Sequence, residues 1–410
     1  MNDTDVLIAG AGPAGLLMAR ALADSGLRIA LVDPQPRASL AAPGDDGREI
    51  ALNQRSLRVL RELGVWDTIP AADHAPLHAA QVFDRGAPQA LCFEPEAQGG
   101  DLGVMVSNHA LRRAAWASVQ GQADLELRLL QRVVALQPEA QGMRVTLQRD
   151  DGASETLSAR LVIAADSRFS QARRLMGIPA EHYDFGKSML VCRMRHEHDH
   201  HSTAWEWFGL RQTLALLPLG PGESSVVLTL RPREMQEMQA MGPEAFARDI
   251  ERRFENRLGA MELISERFVY PLVGVYASRF AAERFALLGD AAVGMHPVTA
   301  HGMNFGLVGI ELLSGALREA LAQRGDIAAA KLLQDYARRL RLETRPLYLA
   351  TQAIVRLYTD SSPPALALRS LGLRAASALG PLRRGVARAM VDARGPLALR
   401  LAALLPAPRL

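Results

Sequence analysis

Apolar residues follow two rhythms along this chain. Four short unbroken runs, Val6 to Ala9, Ile29 to Val32, Leu161 to Ala164 and Phe285 to Leu288, carry no polar alternation. Such runs read as strands covered on both faces, as in a parallel sheet between helices. Each is followed within two residues by a glycine or an acid: Gly10, Asp33, Asp166 and the pair Gly289-Asp290. Helical spacing follows two of them, over Leu16 to Ser25 with Gly26 as the stop, and over Leu307 to Leu321. A second rhythm alternates polar and apolar residues in "KSMLVCRMRHEH", "TAWEWFGLRQTLALLPL" and "ESSVVLTLRPR", which predicts half-buried strands. "AAQVFDRGAPQALCFEP" reads as a hairpin, and the charged, amphipathic "GPEAFARDIERRFENRLG" as a surface helix. Beyond Ala328 the pattern is helical, broken at Pro346, Pro363, Pro381 and Pro396.

The first run opens a motif. Gly10, Gly12 and Gly15 form G-x-G-x-x-G between a strand and a helix, and Asp33 closes the second strand. Gly10 permits the tight turn, Gly12 lets the backbone approach a pyrophosphate, and Gly15 lets helix and strand pack closely. The pyrophosphate is expected at the helix N-terminus, where free N–H groups favour anions. Asp33 is placed to accept from a ribose. The fold class that follows is α/β. A Rossmann-like domain is built from 1–69, 103–177 and 270–323, and a mixed-sheet substrate domain is inserted as 70–102 and 178–269. A helical region spans 324–410. No second fingerprint of this kind occurs, which argues against a separate domain for a second nucleotide.

Composition sharpens this only at the C-terminus. The 410 residues suffice for two domains, and the net charge is only +3. Between Ala365 and Leu410, however, stand eight Arg and a single Asp. This basic, Leu- and Ala-rich tail suits either an anionic membrane surface or a helical face turned to water. Cys92 and Cys192 lack metal or redox spacing and read as buried thiols of a reducing compartment. "DVLIAGAG" starts almost at the N-terminus, so no signal peptide is expected. No apolar run reaches the length of a membrane span. The expected location is the cytoplasm, with peripheral contact at the inner membrane surface, and no nucleic-acid partner. "RHEHDHHST" gathers His196, His198, His200 and His201, but no partner acid or cysteine spacing supports a metal site, so a solvated strand edge is expected.

Taken together, "GAGPAG", "GREIALNQRSLRVLRELGVWD", "VSNHALRRAAW", "AADSRFSQARRLMGI", "LALLPL", "RFALLGDAAVGMHP" and the tail "LRSLGLRAASALGPLRRGVARAM" resemble the class A flavoprotein monooxygenases of the p-hydroxybenzoate hydroxylase fold. Within that class the chain is most similar to the ubiquinone-biosynthesis hydroxylases. The resemblance implies FAD as cofactor, NAD(P)H or another electron donor, and hydroxylation of an aromatic ring through a C4a-hydroperoxyflavin. It implies a polyprenylated phenol or demethoxyquinol and O2 as substrates, and contacts with quinone-biosynthesis proteins or self-association. Gly10, Gly12, Gly15 and Asp33 would hold the ADP half. Arg48 would hold the phosphates, Asn108 would lie along the nucleotide, and Asp166 would support the pyrophosphate region. Asp290 would bind the ribityl chain. Pro297 and the backbone of Gly302, Met303 and Asn304 would border the isoalloxazine. The positive end of the helix starting at Gly302 suits the negative charge of a reduced flavin. The "LALLPL" strand would line the ring pocket, with Leu214, Leu216 and Leu217 bounding it. Trp205, Trp207 and Phe208 either join that pocket or pack in the core.

The chain departs from the family pattern at five places. Val293 replaces a His, Ala300-His301 replaces Gly-Gln, Gly309 stands where an Asp is expected, and Ser167 follows Asp166 in place of Gly. His301 resembles the UbiM branch. It either contacts the flavin edge, takes the phenol proton as a base, or only caps the helix. His296 carries the same two-sided reading, catalytic or a hydrogen bond to its turn. Three other readings stay open: hydroxylation of small soluble aromatics, a flavin-bearing assembly subunit of the quinone pathway, which the departures at Val293 and Ala300 permit, and reduction of isoprenoid double bonds.

Overall fold

The unbroken apolar runs meet in one sheet. In the computed structural model, which describes residues 3–84, 90–95, 100–209, 212–296 and 301–359, Thr4–Ala9 lies between Ser154–Ala164 and Ile29–Asp33, parallel to both. Phe285–Leu287 joins beside Ser154–Ala164, and Leu125–Leu129 beyond Ile29–Asp33, again parallel. Val6, Leu7 and Ile8 are wholly buried, as double coverage requires. A hairpin, Gln131–Glu139 and Gly142–Arg149, extends the sheet antiparallel from Ser154–Ala164. The helices Pro13–Ala21 and Gly302–Ala322 pack on each other and into this core.

The first helix starts three residues before the expected Leu16. Pro13 occupies its first turn, where a missing N–H costs nothing. It also ends earlier, at Ala21. The segment to Gly26 turns through Asp24 at φ 58° and Gly26 at φ 78°. Asn304, on the late helix, ties it to the early chain. Its Oδ1 accepts from Asn53 N and Ser56 Oγ, and its Nδ2 donates to Ala51 O. Such buried bonds contribute about 1 kcal/mol each, and more if one partner is stranded.

The alternating segments form a second, nine-stranded sheet among the described residues. Its spine is Ala180–His196, flanked by Phe268–Ala277 and Glu223–Leu230, followed by Thr213–Gly220, Thr203–Phe208 and Ala79–Asp84. The helices Pro232–Ala240 and Pro243–Arg253 cover one face of this sheet, burying Met235, Met238, Phe246 and Ile250. A small third sheet, Glu49–Asn53, Gly103–Ser107 and His74–Leu77, contacts both Gly302–Ala322 and Thr213–Gly220. The last described helix, Ala330–Thr359, runs through Pro346 rather than breaking there. Tyr276, stacked under Arg345 and bonded to Thr344, fixes that helix to the second sheet.

His196 and His200 correct the expectation of a solvated edge. Both are buried. His196 donates from Nδ1 to His198 O and accepts at Nε2 from Ser224 Oγ, while His200 accepts from Ser202 N and donates to Glu223 O. Burial holds the His196 imidazole below its ordinary range. They serve as turn hardware where the chain leaves the long strand. No described helix is long and apolar enough to cross a membrane.

Candidate active site

A cavity of about 1160 Å³ opens between the parallel sheet and the second sheet. One end is the glycine turn. Gly10 has φ 107°, and a Cβ there would sit 2.5 Å from Ala165 O. A Cβ on Gly15 would sit 1.9 Å from Gly10 O, so the helix lies directly on the turn. Gly12 has nothing within 4 Å of such a Cβ. Its open side faces the cavity, where a phosphate needs close backbone approach. The helix behind it has no side-chain cap, so its N–H groups remain available to an anion. Asp33 accepts from Ala11 N at 2.7 Å and Gln35 N at 2.8 Å, one bond on each oxygen, which orients the carboxylate at the cavity wall.

The middle of the cavity is lined by charge. Arg48 is paired with Asp46 at 2.6 Å, and Asn108 donates to the same carboxylate at 2.7 Å. Tyr270 OH donates to the Asp46 carbonyl. Burial works against ionisation of Asp46, but the Arg48 and Asn108 hydrogen bonds outweigh it and hold the carboxyl below its ordinary range. Sequence reasoning missed Asp46; its position two residues before Arg48, in "DDGRE", was the available signal. Across the cavity, Asp166 accepts from Ala172 N on Oδ2, while its buried Oδ1 has no partner among the described residues. Arg168 binds Asp290 at 3.0 Å and Val273 O at 3.2 Å. Ser167 adopts φ 80°, the left-handed conformation that explains why glycine is usual there.

The far end is the start of Gly302–Ala322. This helix also lacks a side-chain cap, and Gly302 and Met303 line the cavity. His301 is its N-cap residue but does not line the cavity, and its ring lies 6.1 Å from Phe305. His296 does line it, buried and set edge-on against Phe185. Burial, with Lys187 nearby, pushes its imidazole down to about 3, so it is neutral at any working pH. Asn304 turns its side chain to the small sheet, as above. Pro297 lies outside the described residues.

Four expected pocket residues point the other way. Trp205, Trp207, Leu214 and Leu216 belong to the core beneath the helices Pro232–Ala240 and Pro243–Arg253. Strand alternation is the cause. Thr203–Phe208 and Thr213–Gly220 turn Glu206, Thr213, Ala215 and Leu217 into the cavity, and the residues between them away. Of the leucines named from sequence, Leu217 alone lines the cavity.

Glu49, on the cavity wall, is another residue sequence reasoning missed. Its carboxylate is gripped by Arg193 at 2.8 Å and 3.0 Å. Burial nevertheless raises it to about 7, Arg193 offsetting only part. Its folded value exceeds its unfolded value of about 4.3. Its contribution to stability is therefore full below the unfolded value and is lost as pH rises through 7. Urea unfolding of Glu49→Gln should lack roughly 2–3 kcal/mol of the wild-type fall in stability between pH 4.5 and 8. An unchanged slope would reject this.

The residues present fit FAD. Two uncapped helix starts face one elongated space, glycines border it where bulk is excluded, and a buried carboxylate oxygen of Asp166 awaits a donor. Comparison with known proteins agrees. The FAD binding domain family model matches residues 3–345. The chain is 40% identical to the ubiquinone hydroxylase UbiM of Neisseria meningitidis, over 93% of this chain and 83% of that protein. It is 35% identical to the ubiquinone hydroxylase UbiL of Rhodospirillum rubrum, over 93% and 87%. Its fold matches the crystal structure of p-nitrophenol 4-monooxygenase PnpA from Pseudomonas putida with a TM-score of 0.74, at 18% identity, over 95% of this chain and 99% of that one.

Proposed function

The chain belongs to the FAD binding domain family, among the ubiquinone hydroxylases, and on that premise we propose that it hydroxylates the ring of a polyprenylated phenol or demethoxyquinol in ubiquinone biosynthesis. It is an FAD-dependent aromatic monooxygenase, with an aromatic substrate and O2 as reactants. The observation that carries the finer reading is the cavity itself. Its nucleotide end is polar and charged, whereas its floor on the second sheet is apolar over Ala215, Leu217 and Val227. NAD(P)H is proposed as the electron donor.

Bound FAD supplies the redox chemistry that activates O2. The chain's residues do the rest. Gly10, Gly12 and Gly15 shape the turn for the pyrophosphate, and Asp33 presents oxygens to the ribose. Arg48, held by Asp46, and Asn108 would stand along the phosphates. Asp166, oriented by Ala172 N, would support the loop beside the pyrophosphate, and Asp290, steadied by Arg168, would bind the hydroxyls of the ribityl chain. The N-terminal end of the helix at Gly302, with Met303 and the Asn304 backbone, places positive potential where a reduced flavin carries negative charge. His296, being neutral, shapes and dries the site. His301, the N-cap residue, makes no capping bond with its side chain and stands outside the cavity lining, so no proton transfer is assigned to it.

The decisive test is complementation of bacterial strains each lacking one ring-hydroxylation step, with ¹⁸O2 supplied. Growth on a respiratory carbon source and one labelled oxygen in the quinone are expected. A product reduced in its prenyl chain without label would favour the reductase alternative, and turnover confined to prenyl-free phenols the soluble-substrate one. The basic tail from Ala365 lies outside the described residues, and we assign it to peripheral membrane docking. Deleting Ala393 to Leu410 should weaken sedimentation with anionic liposomes at least about fivefold and leave FAD content unchanged. Equal sedimentation would reject the docking role.

A further inference from the structure

The cavity floor on the second sheet holds one carboxyl that nucleotide binding does not use. Glu206, Ala215 and Val227 stand side by side across three neighbouring strands. In the next row Thr213 pairs with Thr229. All five line the cavity. Glu206 is thus the one carboxylate these strands turn into the cavity, set among aliphatic side chains with the Thr213 hydroxyl diagonal to it. Its neighbours Trp205 and Trp207 point away, into the core behind. Among the described residues no hydrogen bond or ion pair engages its carboxyl. Burial alone acts on it, and raises its pKa well above the ordinary carboxylate range. Glu206 is half-buried on the cavity wall, and a carboxyl partly withdrawn from water with no partner costs stability. The core behind it gains nothing from a carboxyl, so the fold alone does not account for the group.

We propose that Glu206, with Thr213 beside it, forms the subsite that recognises a free hydroxyl on the substrate's ring, the ligand class being phenols and quinols. This rests on the ring-hydroxylase reading above. A carboxyl group accepts a hydrogen bond from a phenolic O–H whether or not it is ionised, and as the acid it also donates to the phenol oxygen. An aryl methyl ether brings no proton and leaves the acceptor unpaired. Sites built to bond a hydroxyl reject analogues lacking it far more strongly than apolar pockets reject a missing methylene. Drawing on the O–H also enriches the ring in electron density, which favours electrophilic attack at the adjacent carbon. Glu206 therefore selects the ring and prepares it.

The test uses the FAD-loaded protein, titrated with a 2-prenylphenol and with its methyl ether, binding being read from the perturbation of the flavin absorption spectrum. Wild type should prefer the phenol by at least about tenfold. Glu206→Leu should bring the two affinities within about twofold of each other without weakening ether binding. Glu206→Gln, whose amide oxygen still accepts, should retain part of the preference, and reports on the same point if the Leu variant folds poorly. A Glu206→Leu protein with normal FAD content and an undiminished preference overturns the subsite. So does a wild type that binds both rings equally, though the hydroxylase reading would survive. A wild type that binds neither ring overturns both.

Discussion

Gly15→Val is expected to yield protein that retains no FAD. The position admits no side chain, because even a Cβ would lie 1.9 Å from Gly10 O and 3.1 Å from Gly10 C. Both are backbone atoms of the phosphate turn, so relief requires moving the turn. That turn has no slack, since Gly10 already sits at φ 107° with Ala165 against it. Affinity for FAD should fall at least about 100-fold, roughly 2.7 kcal/mol, and the purified protein should be colourless. Gly12→Ala provides the contrast. Nothing in the protein lies within 4 Å of its new methyl, so the fold should be untouched while the methyl intrudes on the ligand's side. Its thermal melt without added FAD should match wild type, and only the increment gained on adding FAD should shrink. Wild-type flavin stoichiometry in Gly15→Val would refute the close-packed turn.

The second large effect concerns the family's acid. Gly309→Asp is expected to destabilise the protein by at least about 4 kcal/mol, although the resemblance places an Asp there. In this chain a Cβ at 309 would meet Leu288 Cδ1 at 2.8 Å, with Tyr336 Oη at 3.5 Å and Leu340 Cδ2 at 3.8 Å. Tyr336 is fully committed, donating to Leu287 O at 2.7 Å. The three atoms nearest that Cβ are two leucine methyls and the Tyr336 hydroxyl, so desolvation of a carboxylate adds to the clash. The melting temperature should fall by roughly 5 °C. Gly309→Ala presses only on the flexible end of Leu288 and should cost about 1 kcal/mol. Equal stability of the Asp variant would show that Leu288 and Tyr336 can open to admit it.

What was legible in the sequence was local. The glycine turn, the strand ends at Asp33 and Asp166 and the late helix at Gly302 are each defined within a dozen residues by backbone requirements. Parity was not legible. In "TAWEWF" the tryptophans suggested a ring pocket, but bulky aromatics are also what a sheet needs beneath helices, and Phe83 and Phe254 complete that core around Trp207. The signal for the pocket was Glu206, the lone acid between them, paired across from Ala215. Asn304 shows the other limit. Its place in the first turn of the late helix was readable, yet its side-chain partners Ala51, Asn53 and Ser56 lie some 250 residues away and only tertiary structure reveals them.

The Asn304 strap also sets a schedule. The early segment 51–56 is released from the ribosome long before the helix that completes it, and the first strand likewise waits for Phe285–Leu287 to close the sheet beyond Ser154–Ala164. At about 5–20 residues per second, the interval is roughly 15–50 s. For that time the nascent chain offers an open sheet edge and half a nucleotide cradle. Synthesis of this protein is therefore a period of exposure, ending when the last strand of the parallel sheet and the strap arrive almost together.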